Sequence, residues 1–272
     1  MAAGMTLAAA AGPAYLADVG NWRVGYEEKL KAPGGWLSVA GLFWLHEGEN
    51  SVGSDPKADI VLREGLPKRA GVFRMKQDSV WFQAEGSAEK LMKPDVPGPA
   101  DVANIGTVAI TVIKRGPKTG VRIKDTEAAT RRDFTGCKWF PAASKWLVKA
   151  KWVAYKEPRT IGILNLLGMT SQEPAPGYAE FTLAGKQLRL EPITEDDHLF
   201  FLFKDQTSGN ITYAAGRFLY AAMPKDAVVE LDFNKSENPP CAFTAFATCP
   251  LPPKQNVLPV PIAAGEKKYG NH

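Results

Sequence analysis

The chain has 272 residues, 45% of them hydrophobic, and a formal net charge of +4. That size suits a folded protein with a substantial core. Lys and Arg are interspersed with Asp and Glu, which excludes the concentrated basic footprint of a nucleic-acid binder.

The opening MAAGMTLAAAAGPAYLA ends like an export signal with a small-residue cleavage site, but it lacks the positive segment that should precede it. Residues 1–14 are therefore expected to be a disordered or targeting remnant, with a periplasmic or secreted location slightly favoured over the cytoplasm. Leu16, Val19, Trp22, Tyr26 and Leu30 then recur at three- or four-residue spacing, predicting one amphipathic helix stopped by Pro33, Gly34 and Gly35. No apolar run approaches the roughly 18–20 residues of a membrane-spanning helix.

Strand patterns follow, as 25 glycines and 21 prolines lead one to expect. Gly35 to Leu45 is apolar and aromatic, and Ile60–Leu62, Gly71–Met75 and Val80–Phe82 read as short strands. The proline-rich stretch from Lys93 to Gly106 reads as a connector. Beyond it, TVAITVIKR and VRIKD flank a Gly-Pro-Lys-Thr-Gly turn and predict a hairpin. Trp146, Val148, Ala150, Trp152 and Ala154 alternate as one core face. FTLAGKQLRL is a further hairpin, FFLFKD and ITYAAGRFLYA flank another, and Val228–Phe233 is a strand. The expected fold is mainly β: an antiparallel barrel or sandwich over residues 107–269, and a helix with a small strand-rich unit over residues 15–95, the two able to share one core.

Only three histidines occur, His46, His198 and His272, and no zincin, Walker or nucleophile-elbow motif is present. No metal and no cofactor is called for. Cys241 and Cys249, with the seven residues AFTAFAT between them, leave three readings open: a disulfide, two buried thiols, or a catalytic or metal-binding thiolate.

The polar set around the FFLFKD hairpin is the candidate site. Tyr213 and Arg217, four apart, share one face of a regular strand, with Ala215 leaving room between them. Arg217, with Arg122 as a second cation, suits capture of an anionic group, and Asp205, Asp232 and Tyr213 are the candidate catalytic groups. Asp232 and Asn234 flank Phe233, and with Glu266 they form an oxygen-rich set. Turn-capping and a Glu266–Lys267 ion pair explain the same residues without a ligand. Trp36 and Trp44 could wall a flat pocket.

The motifs GWLSVAGLFWLHEGENSVGS, DQTSGNITYAAGRFLYA, DFNKSENPPCAFTAFATCPLPPKQN and AAGEK resemble a bacterial family known only as domain-of-unknown-function family 1684, from about Trp22 to Tyr269. That resemblance implies one shared structural signature and no particular activity. SVGSDPKADIVL followed by AGVF is similar to the opening strands of forkhead-associated domains. Ser54 stands where those domains place an arginine, and no histidine follows, so phosphothreonine recognition is not implied.

The expectation is a β-protein binding an anionic or aromatic small molecule, with hydrolytic chemistry one option and a non-catalytic, exported interaction module the alternative. No nucleic-acid partner is expected, and the oligomeric state is left open.

Overall fold

A computed structural model of the chain describes residues 12–270. Most of the expected targeting remnant, residues 1–11, lies outside the described residues. The protein is mainly β, as expected, and its described strands pair antiparallel apart from one short parallel pair. It divides into two compact units. The larger joins the stretch ending at Lys29 to everything from Thr135 onward, and the smaller is Leu30–Phe134.

Helix α1 (Pro13–Lys31) opens the chain. Proline suits the first helical turn, where a backbone donor has no intrahelical acceptor. The expected stripe holds for Val19 and Leu30, both buried, and for half-buried Trp22 and Tyr26, whereas Leu16 is 41% exposed and Tyr15 takes its place on the packed side. Polar side chains dock this helix as much as apolar ones do. Tyr15 donates to Asp232 at 2.7 Å, Arg23 to the Phe140 carbonyl at 3.1 Å, and Trp139 to Glu27 at 3.0 Å.

The smaller unit contains β1 (Val39–Trp44), β2 (Gly48–Gly53), β3 (Ile60–Val61), β4 (Gly71–Lys76), β5 (Ser79–Ala84), β6 (Lys90–Met92), β7 (Val102–Ile105), β8 (Val108–Arg115) and β9 (Lys118–Asp125), then the short α2 (Ala129–Arg132). Its two sheets have the orders β1-β9-β8-β7 and β3-β2-β4-β5-β6. The two-residue periodicity of β8 buries Val108, Ile110 and Val112 together. They join Phe73, Ile60, Val52 and Val121 in one core.

The division differs from the one expected, with its boundary between residues 95 and 107. The β8–β9 hairpin belongs to the smaller unit, because Leu42, Phe43 and Trp44 of β1 pair with Arg122, Val121 and Gly120 of β9. Helix α1, expected with the small unit, belongs to the larger one as far as Lys29.

The larger unit continues with β10 (Leu147–Leu164), β11 (Thr170–Leu183), β12 (Lys186–Leu190), β13 (Ile193–Glu195), β14 (His198–Phe203), β15 (Arg217–Ala222) and β16 (Val228–Asp232). One sheet runs β12-β11-β10-β16 and the other β13-β14-β15. Leu199, Phe201 and Phe203 of β14 pair with Ala221, Leu219 and Arg217 of β15, in that order, through an unbroken register. Those apolar side chains meet Trp146, Ala150, Phe181, Leu231 and Phe233 in the core. Burying each large apolar side chain contributes about 1.5–3 kcal/mol relative to exposure. After β16 the chain runs through short 3-10 turns to residue 270, and Leu258, Val260, Ile262 and Ala264 of that segment enter the same core.

Candidate functional site

Arg217 does not stand ready for a ligand. It is fully buried, and so is the Asp205 side chain 2.8 Å away. Its two terminal nitrogens donate to Asp205 Oδ2, to the Ile262 carbonyl at 3.0 Å and to the Ala264 carbonyl. The guanidinium also lies 5.1 Å from the Phe203 ring centre. Asp205 Oδ1 accepts from the Thr207 amide, the Thr207 hydroxyl and the Ile262 amide. Only Arg217 Nε lacks a partner. Burial disfavours the arginine's charge, and Asp205 opposes that loss. The pair locks the carboxy-terminal segment to β15, a structural task.

The shared face expected for Tyr213 and Arg217 does not form. Strand β15 starts at Arg217, and Gly216 before it has φ +103° with Pro252 Cγ and the Phe203 carbonyl 2.6 and 2.7 Å from where a Cβ would be. Tyr213 lies in the turn ahead of that kink and donates to the Cys241 carbonyl at 3.1 Å.

Asp232 and Asn234 also serve the fold first. Asp232 Oδ1 caps the short turn after β16 by accepting the Asn234 amide at 3.1 Å. Asn234 is fully buried and exchanges hydrogen bonds with the Ala143 backbone at 3.0 Å in each direction. Asp232 nevertheless reaches a groove of about 720 Å³ lined by Tyr15, Asp18, Tyr220, Met223 and Lys235, among others. Lys235 bridges its two walls, 2.6 Å from Asp18 and 3.9 Å from Asp232.

Arg122, Trp36 and Trp44 belong to the smaller unit. Arg122 is 8% exposed, its guanidinium 5.0 Å from the Trp36 ring centre. Trp44 carries Lys118 over its ring at 5.4 Å and borders a cavity of about 260 Å³. The cysteines Cys241 and Cys249 are thiols, with the Cys241 amide donating to Cys249 Sγ at 3.1 Å.

A different cluster in the larger unit has the properties of a site, and it centres on Glu266. Three extended segments build it. The Glu266 amide donates to the Ser236 carbonyl at 2.8 Å, and on the other side Phe140 and Lys267 pair with Gly265 and Lys138 at 2.9 and 2.8 Å. Ser236–Asn238 is clamped in turn to β15, where Glu237 and Phe218 exchange both backbone hydrogen bonds at 2.9 Å. Gly265 permits this approach. Its φ is +73°, and a Cβ there would stand 2.5 Å from the Ser236 carbonyl oxygen.

Glu266 is completely buried. Its Oε2 accepts from the Asn238 amide at 2.7 Å and the Tyr26 hydroxyl at 3.2 Å. Its Oε1 has no hydrogen-bond partner, nor do Asn238 Oδ1 and Ser236 Oγ, whose residues are 2% and 0% exposed. Such buried orphans are uncommon and each needs a cause. Half-buried Tyr26, Cys137, Trp139 and Glu237 surround the carboxyl. Trp22 stacks on Tyr26 at 5.6 Å, and Trp139 meets both rings edge-on.

The electrostatics follow from burial. Desolvation pushes Glu266 up to about 7, against the pull of its hydrogen bonds from Asn238, Cys137 and Tyr26. Desolvation and then the Glu266 charge push Glu237 up to about 8, with Lys29 opposing. Burial and the same carboxyl push the Cys137 thiol far up, so it is no nucleophile. The two carboxyls thus exchange protons near neutral pH, where general acids and bases work best. Glu266 was expected to pair with Lys267. Instead Lys267 points away, its Nζ 4.8 Å from the Phe140 ring centre. Glu237, Tyr26 and Asn238 were missed altogether. The available signal was a lone carboxylate closing the small-residue run Ala263-Ala264-Gly265. No group of three His, Cys, Asp or Glu residues among the described residues is arranged to hold a metal.

Comparison with solved structures finds similarity to the solution NMR structure of an uncharacterized protein from gene locus rrnAC0354 of Haloarcula marismortui. The identity is 28% over 52% of this chain and 81% of that one, with a TM-score of 0.44. No curated protein matches. The likeness of residues 51–73 to forkhead-associated strands is not borne out. A model of the family described as "Protein of unknown function (DUF1684)" matches residues 132–267, a span that holds Cys137, Glu237, Asn238 and Glu266, and the chain belongs to that family.

Proposed function

We propose that the larger unit binds a small polar molecule at Glu266, with Glu237 and Glu266 as an acid–base pair for hydrolytic chemistry. One observation carries the reading: Glu266 Oε1, Asn238 Oδ1 and Ser236 Oγ are buried together without partners. They sit on residues tied to one another by the Asn238–Glu266 and Glu266–Ser236 hydrogen bonds. A buried acceptor left unmatched costs about 1–3 kcal/mol, which a ligand offering N–H or O–H groups would recover. With Cys137 held as a thiol, the chemistry of this cluster rests on its two carboxyls, which suit proton transfer to and from a water.

The groove supports a second reading, binding without catalysis. About 720 Å³ lies in the size range of small-molecule sites, and its lining mixes exposed Met223 and Tyr220 with Asp232 and Lys235. Native mass spectrometry of protein incubated with a metabolite extract separates the two. Retained mass lost in Glu266→Gln but kept in Asp232→Asn supports the carboxyl site. The reverse pattern supports the groove, and retention unaffected by either change refutes both.

A further inference from the structure

We infer that Cys241 and Cys249 form a hydroperoxide-reactive dithiol, with Cys241 the attacking sulfur and Cys249 the resolving one. The Cys241 amide donates to Cys249 Sγ at 3.1 Å, which brings the two residues together although eight positions separate them. Both ends of the loop are anchored. Cys241 lies in the 3-10 turn Pro240–Ala242, and the Tyr213 hydroxyl donates to its carbonyl at 3.1 Å. The Cys249 carbonyl accepts the Leu166 amide at 3.1 Å, and the next residue, Pro250, bridges to Asn165.

Exposure assigns the roles. Cys241 is half-buried and within reach of a small oxidant, whereas Cys249 is 4% exposed and is best placed to meet a sulfur already on Cys241. The neighbouring Cys249 thiol, and to a smaller extent the Tyr213 phenol, lower the Cys241 pKa against the effect of burial. Cys137 is an internal contrast. It is also half-buried, but burial and the Glu266 carboxyl keep it protonated. Since the thiolate is the reactive form, the fold separates the two cysteines in rate although their exposure is alike.

The chemistry balances with the hydroperoxide as oxidant. The Cys241 thiolate attacks the terminal peroxide oxygen, an S–O bond forms, the O–O bond breaks, and the leaving oxygen takes a proton to depart as water or an alcohol. Cys249 then attacks the Cys241 sulfenic sulfur, the S–S bond forms, the S–O bond breaks and water leaves. Two thiols and one hydroperoxide give one disulfide, one water and one water or alcohol.

The test treats the reduced full chain with hydrogen peroxide, followed by alkylation and peptide mapping. The expected product has lost two hydrogens, contains a Cys241–Cys249 cross-link and still carries an alkylatable Cys137. Cys249→Ser should let dimedone trap a sulfenic acid at Cys241, and Cys241→Ser should leave Cys249 reduced over the same interval. Before oxidation, iodoacetamide should modify Cys241 at least about tenfold faster than Cys137, and urea should abolish that preference. Oxidation of Cys137 as fast as Cys241, a sulfinic acid at Cys241 in place of the cross-link, or a preference that survives in urea would overturn the assignment. The wild-type chain carries the decisive readings, so a variant that fails to fold does not blunt the test.

Discussion

The buried polar clusters around Asp205 and around Glu266, both in the larger unit, are built differently. Around Asp205 and Arg217 all but one of the polar atoms, Arg217 Nε, have partners: each other, Thr207, and backbone groups of the segment they hold. Around Glu266 one carboxyl oxygen, Asn238 Oδ1 and Ser236 Oγ lack partners, although Asn238 Nδ2 donates to the Lys267 carbonyl, and a second carboxyl raises the electrostatic cost. The first arrangement is what a fold requires of a buried charge. The second leaves hydrogen-bonding capacity that the fold does not use. Saturation, more than burial or charge, separates scaffold from candidate site here.

The contrast breaks most readily at Arg217. Replacing it with alanine strands the Asp205 carboxylate in the core and should cost about 3–5 kcal/mol in urea denaturation. A variant that kept its stability and lost only a bound ligand would return Arg217 to the binding role first expected of it. A smaller loss is expected at Gly265. Alanine there meets both a positive φ and the Ser236 carbonyl, and should destabilise by about 1–3 kcal/mol. If the same assay showed no change, the close approach that forms the Glu266 cluster would be in doubt. Smallest is Tyr26→Phe, which removes one hydrogen bond to Glu266 Oε2 and should cost about 1 kcal/mol. It should also move the titration of Glu266 upward, because a donor to the ionised form is lost, and carboxyl NMR shifts would follow that change.

Much of the fold was legible in the sequence. Ala184-Gly185 turns the β11–β12 hairpin as FTLAGKQLRL suggested, and Trp146, Ala150 and Trp152 share the core face that their alternation predicted. These signals are local, a period of two or a turn dipeptide, and they survive tertiary packing. The candidate site was less legible because it depends on distant segments. Cys137, Glu237, Glu266 and Tyr26 meet only when residues 136–140, 236–238 and 264–268 lie side by side against α1. Tyr213 and Arg217 misled for the opposite reason. Their spacing assumes a regular strand, and the kink at Gly216 removes it. The unit boundary differs because Pro94, Pro97 and Pro99 mark only a loop, Val102–Ile105 of the same stretch forms β7 and not a connector, and the long-range pairing of β1 with β9 defines the unit.

The central claim is that Glu237 and Glu266 hold protons near neutrality in the folded chain. Both pKa values are raised above their ordinary 4.5, so the folded state binds protons more tightly than the unfolded one. Their contribution to stability is therefore greatest below pH 4.5 and declines as pH rises through about 7 for Glu266 and about 8 for Glu237. The direct measurement is urea denaturation of the wild type and of Glu266→Gln across this range. Each carboxyl should contribute a downward slope of about 1.4 kcal/mol per pH unit within its window. The variant should lose the Glu266 share between pH 4.5 and about 7 and keep the Glu237 decline, moved toward lower pH once the neighbouring charge is gone. Parallel curves for the two proteins, or a wild-type stability that rises from pH 4.5 to 7, would contradict it.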